Sequence, residues 1–320
     1  MSEGDHQMRI CSFLPGATEI VAELGFADHL VGISHECDFP PSVRHTPVMV
    51  EAIVRHELAG SDDIDRQVKT LVSSGQPLYR LNEQAFQSAR PDVILTQDLC
   101  HVCAVTPDQL LHVLPSLPTA PQIVTLNPTS LGDVVDDVER IGAALGVGSK
   151  GQELAQSLRQ RIAAVHSRSA HTRTQPRVVC LEWLSPLFAG GHWVPEMVGL
   201  AGGHDVFGRI NQPSREISWD EVRAANPDFV ILMPCGFSIT RTVTELRSLC
   251  RATGDWSHRL ASWPKTYVVD AGSYFSRPGP RLVDGLELLA AIFSGTAQTQ
   301  FDDSIVRDIT GTSFAASSFP

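Results

Sequence analysis

The chain is short of basic residues, has no long apolar run and carries an odd number of cysteines. Twenty-five Lys and Arg stand against 36 Asp and Glu, a formal net charge of -11 over 320 residues. A surface of that sign repels phosphate backbones and anionic bilayers, which excludes nucleic acid as a partner. No stretch approaches the ~20 consecutive apolar residues of a spanning helix, so no insertion into a membrane is expected. Seven cysteines cannot all pair, and a chain of this size builds its core without them, so a disulfide scaffold is not expected. Reduced thiols suit a reducing compartment. The N-terminus lacks a basic n-region, an h-region and a small-residue cleavage site, so the chain reads as cytoplasmic; a chain trimmed of its leader would read the same way and be periplasmic. A Gly-rich phosphate fingerprint, a G-x-S-x-G elbow and an H-E-x-x-H pair are missing too, which disfavours nucleotide binding and the common hydrolases.

What is present is alternation. Strand-like runs at 9–13, 30–34, 92–96, 122–126, 177–183, 228–233 and 266–271 are separated by helix-like segments. Most are rich in Val, Ile and Leu without a polar face, as in parallel strands covered on both sides. The chain also repeats itself. Arg9-Ile10-Cys11 and Arg177-Val178-Val179-Cys180 open the same series, and Ala89-Arg90-Pro91-Asp92 and Ala225-Asn226-Pro227-Asp228 introduce matching strands. The first copy carries about 40 more residues between its second strand and that Pro-Asp step, a difference read directly from the two spacings. A fold of class α/β follows, with two related lobes, parallel central sheets and a long helix joining them. The expected boundaries are an N-terminal lobe at 9–128, a helical connector at 129–170, a C-terminal lobe at 171–293 and a polar C-terminal tail at 294–320. In the connector, Leu154, Leu158, Ile162 and Val165 form one stripe of a strut about 28 Å long at 1.5 Å per residue.

Ligands of open parallel sheets bind beyond the carboxyl ends of the strands, and the residues there are unusual. The first lobe places Thr18, His35, Glu36, Cys37, Cys100, His101 and Cys103 on this rim. The second places Glu182, Trp183, His192, Trp193, Cys235, Phe237, Tyr274, Phe275 and Arg277 there. Cys100, Cys103 and His35 form a candidate set for a soft metal such as Zn or Cu, though one C-x-x-C without a second pair is weak grounds, and cysteine is often simply buried. The aromatic residues would make flat walls for a large planar ligand, or close the core. His35, His101 and His192 are candidate axial groups for a chelated metal, or plain polar surface groups.

The segments Ser12-Phe13-Leu14-Pro15-Gly16-Ala17-Thr18-Glu19, His35-Glu36-Cys37-Asp38-Phe39-Pro40, Gln97-Asp98-Leu99-Cys100-His101-Val102-Cys103, Gly190-Gly191-His192-Trp193-Val194-Pro195-Glu196 and Arg277-Pro278-Gly279-Pro280-Arg281 carry a resemblance. The chain resembles the cobalamin-binding, periplasmic-type solute-binding proteins of ABC importers, in the helical-backbone class that also binds iron siderophores and haem. The resemblance runs over residues 9–293. It implies two lobes joined by one helix, a cleft formed by both, small closure, and acidic docking onto an ABC permease near Glu83 or Gln84 and near Asp220 or Glu221. The missing leader departs from that pattern.

Three functions stand side by side. The preferred one is a non-catalytic module that binds cobalamin, a related corrinoid or another metal chelate in the cleft. The alternatives are a Zn or Cu protein built on Cys100, Cys103 and a histidine, and an enzyme using a cysteine such as Cys37 beside His35.

Overall fold

The computed structural model describes residues 7–54, 60–97, 110, 112–170, 174–253 and 255–312. Its N-terminal sheet is built from β1 (Ile10–Ser12), β2 (Leu30–Ser34), β3 (Val48–Ala52), β4 (Tyr79–Leu81), β5 (Val93–Thr96) and β6 (Gln122–Thr125), in the order β4-β3-β2-β1-β5-β6. All its pairings are parallel except β3 with β4. Helix α1 (Pro15–Glu23) follows β1, with proline in its first turn where a missing N–H costs nothing. Helices α2 (Ser61–Ser73) and α3 (Glu83–Ala89) come next.

The connector is a helical hairpin of α4 (Leu131–Ala144) and α5 (Gly148–Ser169). A capping box of Ser130 and Asp133 starts α4. At 22 residues α5 is the long strut, about 33 Å at 1.5 Å per residue. Its predicted stripe is the buried one: Leu158 and Val165 are in the core, with Leu154 and Ile162 packed against it. Arg161 ties it to the far lobe through Asp284 at 2.5 Å and Glu287 at 2.7 Å.

The C-terminal lobe contains β7 (Arg177–Leu184), β8 (Leu187–Ala189), α6 (Val194–Leu200), β9 (His204–Asp205), β10 (Arg215–Glu216), α7 (Trp219–Ala225), β11 (Phe229–Leu232), α8 (Ile239–Thr253), α9 (Asp255–Ser262), β12 (Lys265–Val269), α10 (Ala271–Tyr274), α11 (Arg281–Ser294), α12 (Ala297–Gln300) and β13 (Val306–Asp308). The sheet order is β10-β8-β7-β11-β12-β13, with β9 also on β7. Its centre, β7-β11-β12, is parallel. The expectation of parallel sheets holds at both centres and fails at the edges, where β4, β8, β10 and β13 run antiparallel.

The internal repeat extends to single hydrogen bonds. Arg9 N–H donates to Asp92 at 2.8 Å and its Nε to the Ala89 carbonyl at 2.6 Å. Arg177 N–H donates to Asp228 at 2.8 Å and its Nε to the Ala225 carbonyl at 2.9 Å. Arg90 and Asn226, which end the matching helices, both have φ of 44°. The guanidinium satisfies a helix-end carbonyl, and the aspartate pins the start of the neighbouring strand.

The residues extra to the first copy fold into β3, α2 and β4. One expectation is corrected. The stretch expected as a polar tail instead supplies α12 and β13, which pairs with β12 and brings Val306 and Ile309 into the core; residues 313–320 lie outside the described ones. One apolar cluster runs from β1 and α1 through α4 and α5 to α6 and α11, so both lobes share a core along the connector. The outer faces carry separate clusters, one per lobe.

Candidate functional site

The carboxyl ends of both sheets face one another across a cleft, and the lobes meet at its floor and at its rim. At the floor, a Cβ on Gly16 would lie 2.0 Å from the Pro278 carbonyl oxygen, so backbones of the two lobes touch where a side chain is impossible. Glu19, only 2% exposed, accepts from Arg281 Nε at 3.0 Å and from its Nη2 at 2.5 Å. Arg277 pairs with Asp38 and lies 3.7 Å from Glu36 and 4.0 Å from Glu19. Burial pushes the Glu19 carboxyl above its ordinary value, and the bonds from Arg281 and the charge of Arg277 pull against that rise. Arg281 also covers the Phe39 ring at 4.1 Å.

Beside this floor, Thr18 Oγ1 lies 2.8 Å from Ser12 Oγ and 3.0 Å from Cys37 Sγ. Thr18 and Cys37 are therefore interior groups rather than cleft walls. Burial pushes the Cys37 thiol up to about 11, more than the Thr18 and Ser34 hydrogen bonds and Arg277 lower it. A thiol kept protonated is a poor nucleophile at neutral pH, which removes the physical basis for the cysteine enzyme at this position. His35 contacts Glu36 through Nε2 at 3.3 Å and the Val50 carbonyl through Nδ1 at 3.2 Å. Burial lowers its pKa, but these hydrogen bonds and the charge of Glu36 outweigh burial and leave it raised.

At the rim, α2 crosses from the N-terminal lobe onto the other sheet. A groove of about 200 Å³, open to solvent, lies between Ile64, Asp65 and Val68 of α2 and Glu182, Trp183, Phe188, Ser214 and Cys235 opposite. Trp183 donates its indole N–H to the Ser61 carbonyl at 3.1 Å and packs edge-on to Phe237 at 5.5 Å. Glu182 accepts the Gly191 N–H at 3.1 Å, and burial raises its pKa against that bond and one from Ser214. His192, at φ 52°, has a buried Nδ1 with no partner among the described residues, and burial lowers its pKa.

The expected aromatic wall is thus smaller than the sequence suggests. Trp193 is buried and donates to the Phe275 carbonyl at 2.8 Å, so both belong to the shared core. Tyr274 packs against the same core, and burial raises its hydroxyl pKa. Trp183 and Phe188 remain at the cleft, with Phe237 buried behind Trp183. Cys100, His101 and Cys103 lie outside the described residues. Among the described residues no three His, Cys, Asp or Glu side chains are grouped to hold a metal. Sequence reasoning missed Ser61, Ile64, Asp65, Val68 and Glu245 as site groups, because their role depends on contacts across lobes.

A family model described as "Periplasmic binding protein" matches residues 10–248. A vitamin B12-binding protein of Vibrio cholerae is 24% identical over 283 residues, which cover 87% of this chain and 86% of that protein. One from Yersinia pestis is 24% identical over 227 residues, covering 70% and 69%. Among solved structures, the periplasmic heme-binding protein RhuT from Roseiflexus in apo form is similar with a TM-score of 0.67 and 22% identity, over 91% of this chain and all of that one. The periplasmic vitamin B12-binding protein BtuF of Vibrio cholerae gives a TM-score of 0.62 and 21% identity, over 91% and 98%. These likenesses carry the helical-backbone fold. The relatives give the cytoplasmic reading no support. Among the described residues no helix is long and apolar enough to cross a membrane.

Proposed function

Because the chain belongs to the periplasmic binding protein family, we propose that it holds a corrinoid in the cleft between its lobes and delivers it to an ABC permease. It is a solute-binding protein and not an enzyme. The observation that carries the choice of ligand is the charge of the cleft. Glu19, Glu36, Asp38, Asp65, Glu182 and Glu245 lie on or under it, and its cations already face carboxylates. Arg277 is engaged by Asp38, Arg281 by Glu19 and Lys69 by Asp65, while Arg241 sits over Phe237 in the field of Glu245 and Glu36. A haem would bring two propionates into this field and find each guanidinium occupied, at the cost of breaking a partly buried pair. A corrinoid presents amide N–H donors at its edge, which carboxylate oxygens accept without loss of charge balance. Trp183 and Phe188 supply the flat apolar contact.

Delivery rests on the repeated helix starts. Glu83 of α3 and Asp220 of α7 stand in the first turns of repeat-related helices and are exposed, which suits contact with basic pockets on a permease.

The test is titration of the purified protein with cyanocobalamin and, separately, with hemin, followed by absorbance and calorimetry. The expected result is corrinoid binding at micromolar concentration or below, with weaker hemin binding. Hemin binding tighter than corrinoid, or no corrinoid binding at micromolar concentration, overturns the proposal.

A further inference from the structure

Helix α2 is anchored in the wrong lobe. It belongs by chain to the N-terminal lobe, yet among the described residues none of its side chains joins that lobe's apolar clusters. Its only buried residues are Ser61 and Ile64. The rest is a solvated face with its own ion pairs, Arg66 with Asp63 and Lys69 with Asp65. A helix of 13 residues with so little apolar anchorage is marginal by itself.

Among the described residues, the other lobe clamps one residue of this helix, Ser61. Glu245 of α8 accepts the Ser61 N–H at 2.8 Å and its hydroxyl at 2.5 Å. Trp183 donates to the carbonyl of the same residue at 3.1 Å. The N-cap position, Gly60, offers no side chain to the first-turn N–H groups. A carboxylate 184 residues away therefore does the work that Ser, Thr or Asp does in most helices, and its charge meets the positive end of the helix dipole.

The space under the helix is small. The groove there, about 200 Å³ and open to solvent on one side, is below the ~300–1,000 Å³ of sites for drug-sized ligands, and a corrinoid is larger still. The lobes cannot separate easily to enlarge it, because the Gly16 contact, the Glu19 pairs and the Arg161 bridge fix them at the floor and along the strut. The part free to yield is α2.

We propose that α2 is a latched lid on the ligand cleft, closed by Glu245 and Trp183 on Ser61, and that it must swing off the C-terminal sheet before a bulky ligand enters. The latch itself is independent of which ligand the cleft takes; the entry step rests on the function proposed above. Charge-assisted hydrogen bonds of this kind contribute enough that removing them raises the open population on the order of tenfold or more.

Two measurements on the full chain test it. Hydrogen exchange without any ligand is expected to show α2 amides opening far more readily than those of β1 and β7, and Glu245→Ala is expected to speed α2 exchange on the order of tenfold while leaving the strands unchanged. Equal protection of α2 and the strands, or no change in the variant, overturns the lid. Stopped-flow mixing with cyanocobalamin is expected to give an observed rate that saturates with concentration, at a plateau that Glu245→Ala and Ser61→Ala both raise. A linear dependence identical in the wild type and both variants also overturns it. A chain that opens by exchange but binds no corrinoid keeps the lid and refutes only the choice of ligand.

Discussion

The two places where the lobes touch are built from opposite materials. At the floor the contact is backbone on backbone at Gly16 and Gly279, locked by Glu19 between two arginines with almost no access to water. At the rim it is one serine clasped by a carboxylate and an indole, under a helix that is polar on most of its surface. The first kind of contact has no alternative arrangement nearby. The second is made of directional hydrogen bonds on Ser61 and Glu245, both buried while the helix lies on the sheet. Rigidity at the floor lets the rim move without loss of the shape of the cleft.

The difference can be broken from its strong side first. Gly16→Ala puts a methyl where Pro278 oxygen already is, and should cost about 3 kcal/mol or more by forced separation of the lobes. Denaturant unfolding measures it, and a loss under 1 kcal/mol would show that the floor gives. Glu19→Gln keeps the shape but leaves Arg277 and Arg281 short of a counter-charge at 11% and 12% side-chain exposure. A loss of about 2–3 kcal/mol is expected, read from the same curves.

A carboxyl away from both contacts calibrates these effects. Asp205 accepts Phe207 and Gly208 N–H groups on one oxygen, while the other is buried with no partner among the described residues. Burial raises its pKa to about 6, against the pull of those two bonds and of His204. An acid with a raised folded pKa binds its proton more tightly when folded, so the stability it contributes is full below the unfolded value of 3.8 and falls as pH rises toward 6. Asp205→Asn should flatten that slope and stand on the order of 1 kcal/mol above the wild type at neutral pH. Thermal melts from pH 4 to 7 check it; a variant with the wild-type slope refutes the assignment. The smallest change is expected at the rim. Trp183→Phe keeps a ring against Phe237 and removes the bond to Ser61, worth about 1 kcal/mol in protection of α2 alone, with global stability unchanged.

Much of the scaffold was legible because it is local and repeated. The Pro-Asp steps at 91–92 and 227–228, the paired Arg9 and Arg177 and the stripe on α5 are patterns within a few residues of one another in the chain. The site was less legible. Trp193 lies in the apolar run Trp193-Val194-Pro195-Glu196-Met197-Val198, whose helical spacing marks a core position, yet its rim location suggested a ligand wall. Helix α2 did leave a trace in Ile64, Val68 and Leu71 at helical spacing. Nothing near it in sequence names Glu245 or Trp183, since the clamp exists only once the lobes face each other. Glu19, Asp38, Arg277 and Arg281 were visible as unusual polar residues, but their pairing depends on the same facing.

The connector holds its two helices by the closest contact the chain allows. Where α4 and α5 cross, Gly142 and Gly151 meet so closely that an added Cβ on Gly142 would lie 2.8 Å from the opposing Cα. Side chains that interdigitate can slip to a second register; bare main chain pressed on main chain has no other notch to fall into. The crossing of α4 and α5 is therefore fixed, and the hairpin acts as a single rigid piece between the halves.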